Sequence, residues 1–160
     1  MCSCANYSDM LRCVRTDSEN ADFRKLVTAL DADLAKRDGD DHAFYAQFNK
    51  LDKIKHVIVA YESDHPVGCG AIKEQSGNTL EIKRMYVPST LRSKGIGSVI
   101  LKELETWARE LKYERCVLET GKRQPEAIRL YSKNGYRLIP NFGPYENDEN
   151  SVCFEKMIHE

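Results

Sequence analysis

The chain is 160 residues long, 41% hydrophobic and 31% charged, with a formal net charge of −1 at pH 7. That length fits a single domain spanning residues 1–160 with a core of its own. No apolar run approaches the roughly 20 residues of a membrane-spanning helix, and a near-neutral chain has no bulk positive charge to draw nucleic acid or a membrane surface.

In chain order, Met10 to Arg15 reads as a first strand. Asp17-Ser18 with Glu19 offers N-terminal capping chemistry, and Phe23, Leu26, Val27, Leu30 and Leu34 recur at helical spacing. Asp38-Gly39-Asp40-Asp41 breaks that helix. Phe44, Phe48 and Leu51 predict a second, shorter one. Val57 to Tyr61 is a buried strand, Glu62 to His65 a turn, and Pro66 to Lys73 the next strand, with Gly68 and Gly70 marking close approach or a bulge. Gln75-Ser76-Gly77-Asn78 is a hairpin turn before Thr79 to Val87, and Pro88 ends ladder pairing. A long helix opens at Gly95 and buries Ile96, Val99, Ile100, Leu104, Trp107, Ala108 and Leu111. Cys116 to Gly121 is a short buried strand. Pro125 suits a first helical position and Gly135 the residue past the helix end. Strands near Tyr136 to Ile139 and Ser151 to Met157 flank a polar loop from Asn141 to Asn150. The order β-α-α-β-β-β-α-β-α-β-β predicts an α/β (α+β) sandwich around a mixed sheet.

The six cysteines are scattered, with no Cys-x-x-Cys pair, and Met1-Cys2-Ser3-Cys4 precedes no apolar signal core. Reduced thiols and a cytoplasmic setting are therefore expected. Four dispersed histidines show no metal-ligand spacing, so no metal is expected.

The stretch Leu91-Arg92-Ser93-Lys94-Gly95-Ile96-Gly97-Ser98 carries the most chemistry. Two glycines at a helix start leave backbone N–H groups free, and the helix dipole adds partial positive charge. That suits a phosphate or pyrophosphate. From Ile82 to Lys102 lie Lys83, Arg84, Arg92, Lys94 and Lys102, with no Asp or Glu. A P-loop needs a Lys after its last glycine, and Ser98-Val99 supplies none. A dinucleotide fingerprint needs a third glycine where Ile100 stands.

The remaining pattern, Arg-x-x-Gly-x-Gly behind a strand, is met by Arg92 to Gly97 and resembles the GCN5-related N-acetyltransferase (GNAT) superfamily. Ala127-Ile128-Arg129-Leu130-Tyr131-Ser132-Lys133-Asn134-Gly135-Tyr136 is similar to its second signature. The likeness covers about Leu80 to Met157, and Gln124 departs from the Asn common there. It implies a mixed, mostly antiparallel central sheet with helices on both faces, and acetyl-CoA-dependent transfer to an amine. Cofactor contacts by match are Met85, Tyr86, Val87, Arg92, Ser93, Lys94, Gly95, Ile96, Gly97, Ser98, Gln124 and Ala127. The pantetheine arm of acetyl-CoA (CoA) is expected along Met85-Tyr86-Val87, where a backbone N–H can polarise the thioester oxygen. Tyr131 matches the residue that protonates the departing thiolate. The acceptor ammonium must lose a proton, and Glu81, Glu119 or water alone remain open as the base. Phe44, Tyr45 and Phe48 on one side, and Phe142 to Tyr145 with Glu146, Asp148 and Glu149 on the other, are candidate acceptor walls. The expected partner is a small-molecule or peptide amine; a homodimer is compatible. A non-catalytic acyl-CoA sensor on the same fold stays as the alternative.

Overall fold

The computed structural model describes residues 7–39 and 54–159. A short 3-10 turn, Tyr7–Met10, leads into β1, Leu11–Thr16. Helix α1 runs Ala21–Asp38. Its cap is not the expected Asp17-Ser18 pair but Asn20, whose side chain accepts from the Phe23 N–H at 2.9 Å. Asp17 instead closes the preceding turn by accepting from Glu19 N–H at 2.9 Å. Both residue types cap well, and Asn20 sits at the three-residue offset from the N–H that needs an acceptor. Gly39 ends the helix at φ 55°, where a side chain is strained. The expected helix over Phe44 to Leu51 lies outside the described residues.

Strands β2 (His56–Glu62), β3 (His65–Ser76) and β4 (Thr79–Tyr86) form an antiparallel run. Helix α2 is Ile96–Glu110, β5 is Arg115–Gly121 and α3 is Pro125–Lys133. Strands β6 (Arg137–Ile139) and β7 (Ser151–Met157) complete a seven-stranded sheet ordered β1-β2-β3-β4-β5-β7-β6. Among the described residues only β4 and β5 pair in parallel.

Alternation along the strands divides the core into two layers. Val57, Val59, Cys69 and Ala71 pack on Phe23, Leu26 and Val27 of α1. Ile58, Ala60, Ile72, Leu80 and Ile82 pack on the opposite face against Ile96, Ile100, Leu101, Leu104 and Ala108 of α2. Leu101 joins the expected α2 stripe, while Leu111 lies past the helix end, exposed. Tyr131 of α3 joins this second layer, so helices cover both faces. Glu105 is buried here too. It accepts from Tyr136 Oη at 2.8 Å and Lys156 Nζ at 2.9 Å, which offsets its desolvation.

A bulge in β4 reorders the faces of that strand. Cys69 pairs with Tyr86 and Ala71 with Lys83, so Arg84 and Met85 together oppose Gly70. Arg84 takes φ 58°, an uncommon conformation for a bulky residue. A Cβ on Gly70 would meet Met85 Sδ at 2.5 Å, so only glycine fits beneath the bulge. The extra residue reverses the side-chain alternation. Lys83 and Tyr86, three apart, therefore share the α1 face.

Candidate active site

Strands β4 and β5 pair only at Thr79↔Arg115, Leu80↔Cys116 and Glu81↔Val117. Beyond that point β4 stays with β3 to Tyr86, and β5 stays with β7 to Gly121. The two strands diverge, and the β5-facing backbone of β4 past Glu81 has no strand partner. The bulge helps, since it adds local twist and bend.

Two cavities open at this splay and share Leu30, Met85, Gln124, Ala127 and Tyr131. The larger, about 450 Å³, lies between the β4 end, the α2 start and α3. Its wall includes Met85, Tyr86, Val87, Arg92, Ser93, Gly95, Ile96, Gly97, Ser98, Gln124 and Ala127, eleven of the twelve residues expected at the cofactor. Lys94 is the exception. It lies over the Tyr7 ring at 5.5 Å and faces an outer cavity shared with Lys102, Lys133 and Lys156.

The turn itself is built on left-handed residues. Ser93 has φ 69° and Gly95 φ 87°. Space around a Gly95 Cβ is open, so glycine is needed there for backbone conformation. Gly97 has a different reason: a Cβ there would come within 3.1 Å of Leu130, so it allows α2 and α3 to approach closely. Arg92 is already engaged. Its Nε donates to Val87 O at 2.8 Å, and its terminal nitrogens lie 3.7 Å from Asp33 and 3.6 Å from Glu126. Arg37 bridges the same two carboxylates. The stretch free of acids in the sequence thus acquires two acidic neighbours in space.

The smaller cavity, about 100 Å³, lies on the α1 face of the splay. Glu81, Lys83, Arg84, Glu119 and Tyr145 contribute to its wall. Lys83 Nζ lies 4.0 Å from Glu81 Oε2. Burial pushes the Glu81 carboxyl above its ordinary range, opposed by Lys83 and Lys73. Burial likewise lowers the Lys83 ammonium, opposed chiefly by Glu81. Glu119 accepts from Ser151 Oγ at 2.6 Å, and the same hydroxyl lies 2.7 Å from Asp148. Arg84 reaches Asp31 of α1 at 2.9 and 3.4 Å.

Tyr131 sits where the cavities meet, 6% exposed. Its ring packs edge-on to Tyr136 at 5.8 Å and tilted to Phe154 at 6.2 Å. Burial, reinforced by the Glu119 charge, raises its phenol far above the ordinary value and keeps it protonated. Tyr145, from the expected acceptor loop, is buried in the smaller wall and stacks edge-on with Phe142 at 6.0 Å. Phe44, Tyr45 and Phe48 lie outside the described residues.

Sequence alone leaves Leu30, Asp33 and Glu126 off the site and counts Lys83 and Arg84 with the basic charge around the Gly95 turn, whereas both line the smaller cavity instead. Lys83 carries a local signal, since it shares a strand face with Glu81 two residues earlier. Arg84 reaches it on the β4 bulge, and Leu30, Asp33 and Glu126 only through packing of α1 and α3.

The Acetyltransferase (GNAT) family profile matches residues 20–136, and the chain belongs to that family of acetyltransferases. An IAA acetyltransferase of Azospirillum brasilense is 41% identical over 102 residues, covering 63% of this chain and 67% of the relative. The structure of a Klebsiella pneumoniae protein assigned as an acyl-CoA N-acyltransferase superposes with TM-score 0.79 at 30% identity, covering 94% of this chain and 99% of that one. A GNAT acetyltransferase from Elizabethkingia anophelis, solved with acetyl-CoA bound, shares the fold with TM-score 0.67 at 17% identity, covering 93% and 99%.

Proposed function

We propose that the chain is an acetyl-CoA-dependent N-acetyltransferase acting on a primary amine by direct attack within a ternary complex. The observation that carries this is the single slot through the β4–β5 splay, with a cofactor-sized cavity on one side, a charged cavity on the other, and Tyr131 between them. The residues fit the donor. An unpaired β4 edge matches the amides of pantetheine, and the Gly95 turn at the α2 start offers free N–H groups to a pyrophosphate. Met85, Tyr86, Val87, Ser93, Gly95 to Ser98, Gln124 and Ala127 hold it, with Arg92 contributing once drawn from Asp33 and Glu126. Lys94 acts from the outer rim.

Bound there, acetyl-CoA supplies the activated acetyl group. Glu81 accepts a proton from the acceptor ammonium, and the neutral amine forms the new bond to the acetyl carbon. The carbon–sulfur bond breaks, and Tyr131 donates its phenolic proton to the sulfur. The second amine proton leaves to solvent, the proton on Glu81 is released to solvent, and Tyr131 regains a proton from solvent, so one proton is released per turnover. Glu81 suits the base role because its raised carboxyl affinity for protons brings it closer to working pH. Glu119 is held by Ser151 and shapes the same wall.

Titration calorimetry with acetyl-CoA, followed by thiol release on an amine panel, tests this reading. Micromolar binding and amine-dependent thiol release are expected. Absence of binding at millimolar acetyl-CoA overturns it, and binding without release on any amine restores the sensor alternative.

A further inference from the structure

Proton transfer to Glu81 uses one charge of the smaller cavity; Lys83, Arg84 and Glu119 also stand on its wall, Arg84 paired with Asp31 and Lys83 with Glu81. We infer that the acceptor is a small amino acid bound as a zwitterion, its amine toward Glu81 and Glu119 and its carboxylate toward Lys83 and Arg84. This deepens the proposed function and rests on it.

The wall carries two carboxylates and two cations within a cavity of about 100 Å³. Glu81 and Lys83 stand on the same face of β4, 4.0 Å apart, and Arg84 follows on the bulge. A plain alkylammonium in this space satisfies the carboxylates but sits beside two cations, and like charges in a poorly solvated site repel strongly. A zwitterion meets both signs. The small cavity volume suits a free amino acid.

Arg84 is the less ordinary cation. Its side chain is 4% exposed, its backbone is held left-handed, and its terminal nitrogens reach Asp31 across the cleft. Its Nε–H is buried without an acceptor, alone in that respect among the described residues' side chains. A planar guanidinium presents five donors and takes carboxylates in pairs. Asp31 is half exposed, so water can solvate it while the guanidinium turns to a second carboxylate. The bulge thereby acquires a purpose. It places Arg84 next to Lys83 at the cavity instead of simply continuing the strand.

The test uses the full chain with saturating acetyl-CoA and matched acceptors: the standard amino acids, their carboxamides, and the corresponding amines lacking the carboxyl group. At least one amino acid is expected to show a kcat/KM roughly 10- to 100-fold above its neutral counterparts, the range for a hydrogen bond to a charged group. Lys83→Gln is expected to remove most of that ratio by raising KM for the acid more than for its neutral counterparts, all of which share any change at Glu81. Arg84→Gln is expected to do the same if it folds. Equal turnover of acid and carboxamide overturns the inference, as does an undiminished ratio in Lys83→Gln. Acetylation of carboxyl-free amines alone overturns it while leaving the acetyltransferase reading intact. No acetylation of any amino acid, with acetyl-CoA shown to bind, also overturns it.

Discussion

Replacing Tyr131 by Phe isolates the hydroxyl from the ring. The ring contacts with Tyr136 and Phe154 survive, and the side chain loses only an oxygen at the junction of the two cavities. Unfolding free energy should therefore change by less than about 1 kcal/mol, the scale of one ordinary hydrogen bond. The kinetic cost comes from proton donation. Loss of a general acid slows reactions by roughly 10²–10⁴. The low end is expected for two reasons: a thiolate needs protonation less than an alkoxide, and the burial that keeps Tyr131 protonated also makes it a poorer donor. A loss near 10² corresponds to about 2.7 kcal/mol of transition-state stabilisation. Single-turnover thiol release at saturating substrates measures it, with calorimetry for acetyl-CoA as the control. The expected result is kcat down about 10² with KM for acetyl-CoA unchanged. Wild-type kcat with chemistry rate-limiting, or a large fall in Tm, would reduce Tyr131 to a packing residue.

Glu81→Gln should slow turnover and erase the acid limb of the pH–rate profile. Because burial raises the Glu81 carboxyl, the wild-type limb should lie above the ordinary glutamate range, activity falling as pH drops through it. The raised value also means the ionised form is disfavoured in the fold, so any stability it contributes is present at low pH and lost as pH rises. Thermal melts should accordingly show Glu81→Gln at least as stable as wild type at neutral pH; a large destabilisation contradicts this. Gly95→Ala should cost about 1–2 kcal/mol through its left-handed backbone and weaken acetyl-CoA binding. Gly97→Val should lower Tm further by pressing on Leu130, and an unchanged Tm refutes that packing role. Tyr136→Phe leaves buried Glu105 with one donor fewer, for a loss of about 1–3 kcal/mol in urea unfolding; an unshifted midpoint shows the bond is not needed.

The local features of the site are legible in the sequence because they depend on short-range chemistry. The Arg92 to Gly97 turn, the α2 stripe, Pro125 at a helix start and Gly135 past its end each need only neighbours a few residues away. The limits expected for β7, Ser151–Met157, are those observed. The cap of the first helix is not legible within the same few residues, since Asp17, Ser18 and Asn20 all have capping side chains and only the final backbone path selects Asn20.

Tertiary structure decided the rest. Alternation alone puts Lys83 and Tyr86 on opposite faces of β4; the bulge over Gly70 puts them on one, because it adds a residue that β3 does not match. Likewise, Arg92 belongs to an acid-free stretch of sequence, where it counts as a free cation. Folding brings Asp33 from α1 and Glu126 from α3 to it, because electrostatic neighbours are set by distance in space and not along the chain. The sequence signal toward the splay is Pro88, which ends ladder pairing just past β4, and it does not set where the strands part. The splay exists because β4 follows β3 and β5 follows β7, and those two partners lead them apart after Glu81 and Val117.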